Sequence, residues 1–338
     1  MVRLAQAHYQ KIHTFYSITL PNVQIWNRDF DRSVKPDVLK EISRRTLIPF
    51  ERLESLTLSN YEGYLFEKHT SLTNMTWLMP LGIYHRIRKQ YGVQFCAGCF
   101  IKDKDEPYFR RKWRLSLSVV CPDCNLKLYD HCPKCCFPIT YFRMELGHKT
   151  EVTTLPLSTC VFCKFNLKKS KLIGASKSAV SFQKDLYSLL DNGCSENFQY
   201  SHLYFEGFRH ILKLLSSAQK KTDILRSIIC KNLEIPKPKI LGGYKNNFER
   251  IPLVQRLVLI EMATWLLKDW PNRFINLCLE NGVYSSYLLK DKKNLPYWFY
   301  APIKQNLHLI YTPWREVYPL KAFNKSYDDF VKISSKIG

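Results

Sequence analysis

Phe95-Cys96-Ala97-Gly98-Cys99, Val120-Cys121-Pro122-Asp123-Cys124, His131-Cys132-Pro133-Lys134-Cys135 and Thr159-Cys160-Val161-Phe162-Cys163 are the stretches that decide the fold. Each ends in a Cys-x-x-Cys pair, and the pairs are separated in turn by 21, 7 and 24 residues. Two residues between thiols let one tight turn present both sulfurs to a single ion. Longer connectors of the length seen here fit a ribbon that brings a second turn opposite the first. The pattern predicts two structural zinc ions held by Cys96, Cys99, Cys121, Cys124, Cys132, Cys135, Cys160 and Cys163. Both a sequential and a crossed grouping of the pairs are open, and the short middle connector favours the sequential one. His131 and Cys136 flank the third pair and read as bystanders more readily than as substitute ligands. Full thiolate ligation leaves no position for an activated water, so these sites hold structure and do not perform chemistry. Cys194, Cys230 and Cys278 stand singly on predicted helices and read as core residues.

The 338-residue chain carries 51 Lys+Arg against 29 Asp+Glu, a formal charge of +22. Two four-thiolate zinc sites would each subtract about two charges, which leaves roughly +18. Such an excess attracts polyanions. With 46% hydrophobic and 14% aromatic residues the composition is that of a folded protein. No uninterrupted apolar stretch reaches the length of a membrane helix, and the start has no secretory apolar core. A reducing, cytoplasmic location follows, where paired thiols serve as metal ligands more often than as disulfides. A phosphate-cradling Gly-x4-Gly-Lys-Ser/Thr, a Gly-x-Ser-x-Gly elbow and a His-Glu-x-x-His are all missing from the sequence, and its carboxylates suggest no metal triad. The reading is of a protein that is not an enzyme.

The expected architecture is mainly α with small β zinc ribbons, in three parts. Residues 1–94 read as helical and helix-turn-helix-like. A helix is expected over Leu4–Tyr16. Another over Pro36–Arg45, with Val38, Leu39 and Ile42 on one face, is followed by the turn at 46–49 and a helix over Phe50–Leu58. Residues 95–173 form the tandem zinc-ribbon region. Within it Trp113–Val120 alternates apolar and polar residues as a half-buried strand does. The acid-free stretch from Val152 to Ser181, with Lys164, Lys168, Lys169, Lys171 and Lys177, reads as an exposed tail leaving the zinc unit. Residues 174–338 are expected to form a C-terminal helical domain, with helices near 181–191, 200–218, 222–232, 252–268, 271–281 and 284–290.

Nucleic-acid contacts are predicted in two places. Arg86, Arg88 and Lys89 precede the first Cys pair, and Arg110, Arg111, Lys112 and Arg114 lie between the first two pairs, interleaved with Tyr108, Phe109 and Trp113. Basic residues beside aromatics suit phosphate contact with packing support. Trp113 itself reads as buried in the ribbon. Near the C-terminus, helix 273–281, Gly282 and the helix beginning at Tyr284 spell a second helix-turn-helix. Its start would present Tyr284, Ser285, Ser286 and Tyr287 to a groove, with Lys290, Lys292 and Lys293 near phosphates.

Around the cysteines, Tyr84-His85-Arg86, Gln94-Phe95-Cys96-Ala97-Gly98-Cys99, Glu106-Pro107-Tyr108-Phe109-Arg110, Trp113-Arg114-Leu115 and Cys132-Pro133-Lys134-Cys135 together resemble the TniQ family, which includes TnsD-type target selectors of bacterial transposons. The resemblance extends upstream through Trp26-Asn27-Arg28-Asp29 and Leu56-Thr57-Leu58-Ser59-Asn60-Tyr61-Glu62-Gly63, and covers residues 1 to about 170. Longer members are also similar at Trp265-Leu266-Leu267-Lys268-Asp269-Trp270-Pro271 and Leu295-Pro296-Tyr297-Trp298. The resemblance implies a non-catalytic adaptor that recognises a site in double-stranded DNA, or docks onto an RNA-guided effector complex, and recruits a TnsC-type AAA+ ATPase and its transposase. A bacterial, nucleoid-associated location is implied, and a homodimer is left open. Other readings are a stand-alone zinc-containing regulator and a docking subunit of an RNA-guided transposition complex. The family usually carries His where this chain has Cys124, a swap zinc tolerates, and Gly where it has Cys136. The segment that precedes the Leu4 helix in the family is not matched here.

Overall fold

The structure is a computed structural model that describes residues 2–23, 29–70, 75–81, 91–143, 155–196, 198–238, 240, 247–289 and 295–308. Among these the chain is mainly helical, and its regular β-structure is one two-stranded ladder. The helices are α1 (Val2–Ala7), α2 (Ile12–Thr19), α3 (Phe30–Ser33), α4 (Pro36–Thr46), α5 (Phe50–Ser55), α6 (Ala97–Lys102), α7 (Lys177–Asn192), α8 (Ser201–Leu215), α9 (Lys220–Leu233), α10 (Leu253–Leu267), α11 (Asn272–Glu280), α12 (Ser285–Leu288) and α13 (Tyr297–Asn306). Strands β1 (Val120–Cys121) and β2 (Leu126–Lys127) pair antiparallel, with Cys121 opposite Leu126.

The helix expected over 4–16 is two helices, with Tyr9 at φ +50 between them. Helix α4 starts on Pro36 and stops at Leu47, which adopts a left-handed φ of +58 and hands the chain to α5. Buried Ala5, Ile12, Tyr16, Leu20, Leu39 and Ile42 pack with Leu157 as a small core of their own. A much larger core draws on Leu58 through Trp113, on the cysteine region and on α7–α13. Phe109 and Tyr141, stacked at 4.4 Å, touch both cores and join them.

On α8, Phe205, Phe208, Ile211, Leu212 and Leu215 recur at helical spacing and are all fully buried. Trp77 lies against Phe205, Phe208 and Phe248. Gly207, on the opposite side of α8, lets Trp298 rest on the backbone, because a Cβ there would fall 2.2 Å from the indole. Trp298 Nε1 donates to Leu203 O, and Trp270 Nε1 donates to Trp298 O. The two C-terminal motifs quoted above therefore meet in one aromatic cluster.

Trp113–Val120 departs from expectation. It is not a half-buried strand: a 3-10 turn covers Arg111–Arg114, and the whole stretch to Cys121 is buried, Ser116 and Ser118 included. The polar positions do not mark a wet face. Their backbone is satisfied inside the protein by side chains from distant elements. Gln94 donates to Trp113 O and Leu115 O, Arg256 of α10 donates to Ser116 O, and Gln183 of α7 accepts from Val119 N. Arg114 is only 4% exposed and holds Asp29 with two hydrogen bonds, of 2.5 and 3.1 Å, while also donating to Gly92 O and Met79 O.

A buried ion pair leaves a costly uncompensated charge when one partner is removed. Arg114→Ala and Asp29→Ala should each lower stability by about 3–5 kcal/mol. Denaturant titration of the metal-loaded protein checks this, and a loss below about 1 kcal/mol would contradict it.

Candidate metal centres and nucleic-acid interface

Three elements deliver the first set of thiols. Cys96 caps α6, its Sγ accepting from Cys99 N at 3.5 Å, and Cys99 lies in the first turn of that helix. Cys121 ends β1, and Cys124 lies in the turn before β2. Gly98 lets this turn close, since a Cβ there would come within 3.1 Å of Cys124 Sγ. The second set, Cys132, Cys135, Cys160 and Cys163, comes from two turns of matching build. Cys136 N donates to Cys132 O and Cys132 N to Phe137 O. In the same way Lys164 N donates to Cys160 O and Cys160 N to Phe165 O.

Within each tetrad all four sulfurs lie within 4.8 Å of one another. The closest pairs are Cys99–Cys121 at 3.4 Å and Cys99–Cys124, Cys132–Cys163 and Cys135–Cys160 at 3.7 Å. A tetrahedral ion with bonds of about 2.3 Å sets its sulfurs roughly 3.8 Å apart, so both tetrads fit zinc. The sequential grouping is the one the fold makes, and His131 and Cys136 lie outside it. In the first tetrad the thiols also disturb one another electrostatically. Contact with Cys121 pushes Cys96 and Cys99 up, and contact with Cys96 and Cys99 pulls Cys121 down. A dication removes that conflict by accepting all four as thiolates. Lys102 beside Cys124 is raised by its hydrogen bond to that thiol, which offsets part of the negative charge.

Three of the four Cys-x-x-Cys turns are followed by a residue in left-handed conformation: Asn125 at φ +56, Cys136 at φ +57 and Lys164 at φ +59. The fourth runs on into α6 and needs none. Asn tolerates this region, while a cysteine or a lysine held there is strained by about 1–2 kcal/mol. Cys136 therefore occupies a position that favours glycine. Cys136 is exposed, as is Cys194, which the sequence reading had placed in the core; Cys230 and Cys278 are buried as expected.

The predicted basic contacts are largely engaged elsewhere. Arg110 forms a two-bonded pair with Asp103 and lies over the Tyr108 and Trp113 rings. Arg111 lies over Tyr61 and donates to its hydroxyl, and Lys112 pairs with Asp191. Arg114 is buried in its pair with Asp29 and presents nothing outward. Trp113 is buried, as read from the sequence. In the C-terminal helix-turn-helix, Gly282 makes the turn at φ +62 and Val283 is buried, but α12 is only four residues long. Ser285 is buried with its N–H on Leu307 O, and Tyr287 is hydrogen-bonded to Thr222; Tyr284 is half-buried, which leaves Ser286 as the exposed one of the four nominated residues. Arg86, Arg88, Lys89, Lys290, Lys292 and Lys293 lie outside the described residues. In the N-terminal pair, α5 carries Glu51, Arg52 and Glu54 on its exposed side, a poor match for a phosphate-lined groove.

The expected acid-free tail is not a tail. Its chain returns to the first tetrad: Lys127 N donates to Ile173 O, Ala175 N to Asn125 O, and Tyr129 Oη to Lys171 O. Leu167 and Ser170, interspersed among these lysines, are buried and hold the segment against the protein.

Two outcomes follow. Stripping the metal with a strong chelator, or Cys121→Ser, should collapse the ribbon region and lower the melting temperature steeply, because thiolate-bound zinc contributes on the order of 10 kcal/mol. Zinc release measured beside the melt should show about two ions per chain if each tetrad binds one. Cys136→Gly should raise stability by about 0.5–1 kcal/mol, read by denaturant titration with zinc held in excess.

Comparison with curated proteins found no match. The family model of TniQ matches residues 1–128, a span that contains Asp29, Trp77, Arg114 and all four thiols of the first tetrad. Residues 1–128 are thus similar to the TniQ domain, and the second tetrad and the C-terminal helices lie beyond the matched span.

Proposed function

We propose that this protein is a zinc-stapled, non-catalytic adaptor that selects a target site in double-stranded DNA for a bacterial transposon and recruits the AAA+ ATPase, and through it the transposase. One observation carries the reading: the TniQ match ends only after the first tetrad is complete, so the metal-binding turn belongs to the family domain. The +22 charge supports a polyanionic partner. Among the described residues, no helix is long and apolar enough to cross a membrane. Zinc ions in both tetrads would serve as closed structural centres, since four thiolates complete the coordination sphere. The proposed work is gripping and positioning: a rigid platform holds the DNA backbone on one side and a protein partner on another.

The metal-loaded protein, immobilised and challenged with the ATPase encoded beside its gene, should retain that ATPase in the presence of duplex DNA and nucleotide. Retention of DNA without the ATPase would instead favour a stand-alone regulator. Retention of neither, with capture of an RNA-guided effector complex, would favour a docking subunit.

A further inference from the structure

Because most of the basic residues between the first two Cys pairs are committed to internal partners, the charge available to a polyanion lies elsewhere. Lys164, Lys168, Lys169 and Lys171 run along the outer edge of the two tetrads, and Lys102, Lys104 and Lys127 border the same edge. The connection is made by the fold. Lys168 donates to Lys104 O, Lys102 to Asp123 O, Lys127 N pairs with Ile173 O, and the 3-10 turn at Leu167–Lys169 packs on α6. Among the described residues none of these seven lysines is in an ion pair. The acids bordering the edge are few: Asp103 is taken by Arg110 and Glu106 by Arg3, which leaves Asp105, Asp123 and Glu261, the last near Lys127 and accepting from Ser176 Oγ.

The edge is also stiff. Leu167 is 1% exposed and anchors the turn, Asn166 accepts from Lys168 N, and Ser170 donates to Leu167 O. Thr159 pairs with Asn166 across the second tetrad's turn, and Ile173 and Ala175 are tied to β2 and its preceding turn. Lysines on such a scaffold lose little backbone freedom when they meet phosphates. Even fully extended, the chain from Lys164 to Lys171 would span at most about 25 Å, and the 3-10 turn at Leu167–Lys169 shortens it, so a few phosphates of one strand lie within its reach.

We infer that this lysine edge, formed by Lys164, Lys168, Lys169 and Lys171 with Lys102, Lys104 and Lys127 alongside, grips one strand's phosphate backbone in duplex DNA without reading sequence. The inference rests on the proposed DNA-binding role and assigns it a surface. Sequence selection would belong to other parts of the molecule, because amines on flexible stems neutralise phosphates but carry no base code.

The test uses the full-length, metal-loaded protein and a random-sequence duplex, with affinity followed by fluorescence anisotropy from about 50 to 200 mM salt. Lys164→Gln, Lys168→Gln, Lys169→Gln and Lys171→Gln are combined in one variant. A control of equal charge combines Lys184→Gln, Lys220→Gln, Lys231→Gln and Lys268→Gln, which sit on the C-terminal helices. The edge variant should lose affinity at least ~10-fold and flatten the log–log salt slope by roughly 3 to 4, at about 0.9 per lost phosphate contact, while the control changes both much less. Zinc content and melting checked beside it should be unchanged; if they are not, the pair Lys164→Gln with Lys171→Gln is measured instead and should flatten the slope by roughly 2. Equal losses in the edge and control variants, or none in the edge variant while the wild type binds duplex steeply, overturns the surface and leaves the DNA-binding role standing. A wild type that binds no duplex overturns the role and the surface with it. Loss seen only on single-stranded RNA overturns the assignment to duplex DNA.

Discussion

A stretch of chain that runs through the core with a single bridge, Leu115 to Leu78, has to find a home for every carbonyl and N–H that this bridge does not pair. Residues 113–119 are that stretch, and Gln94, α7 and α10 contribute polar side chains to it. Gln94 and Arg256 serve the carbonyls, and Gln183 serves Val119 N. Leaving such groups unpaired would cost about 1–3 kcal/mol apiece. The stretch leads directly into β1 and Cys121, so the first tetrad is positioned by helices whose side chains come from 64 and 140 residues further along the chain. The TniQ domain is therefore not held by its own residues alone, and α7 and α10 complete its interior.

Polar residues elsewhere follow the same logic of joining parts. Buried Glu249 accepts from Trp77 N at 2.7 Å and binds Arg209 through both oxygens, tying the N-terminal half to α8. Asp130, one residue from the second tetrad's first turn, accepts from Leu253 N and caps α10, with His131 on its other oxygen. The N–H at a helix start is unpaired within the helix, so a carboxylate there gains both a hydrogen bond and the favourable end of the helix dipole. A ribbon that could have been an independent module is thus fastened to the helical body at several points. For an adaptor, that rigidity matters: force or register imposed at one surface reaches another without slack.

The arginines show how tertiary context reassigns a residue. In sequence, Arg110 to Arg114 beside Tyr108 and Trp113 has the composition of a phosphate-binding strip. In the fold, Arg110 lies over Tyr108 and Trp113 and pairs with Asp103, Arg111 lies over Tyr61 and donates to its hydroxyl, Lys112 pairs with Asp191, and Arg114 pairs with Asp29; of these partners only Asp103 and the two rings beside Arg110 are near in the chain. Arginine suits such half-buried joints because it is planar and weakly hydrated. The lysines, being strongly hydrated, stay outside and leave the exposed positive charge along the zinc-bearing edge.

What the sequence determined by itself was whatever depends on short-range geometry. Cys-x-x-Cys spacing forces both thiols of a turn toward one ion, the amphipathic spacing of α4, α7, α8 and α10 sets their buried faces, and Gly282 and Pro36 mark a turn and a helix start. The connector lengths favoured the sequential grouping of the thiols, and the TniQ domain was legible as a resemblance of sequence motifs. What only the tertiary structure decided was which side of a segment faces water. Ser116 and Ser118 alternate with apolar residues like a strand's wet face yet are buried, because Tyr187, Gln183 and Arg256 arrive from elsewhere to meet the polar groups around them. The acid-free stretch looked free to leave the molecule, but Leu167 and the backbone pairing to 125–127 bring it back. Burial is a property of what packs against a residue, and at these positions the packing partners lie far along the chain, beyond the reach of any local pattern.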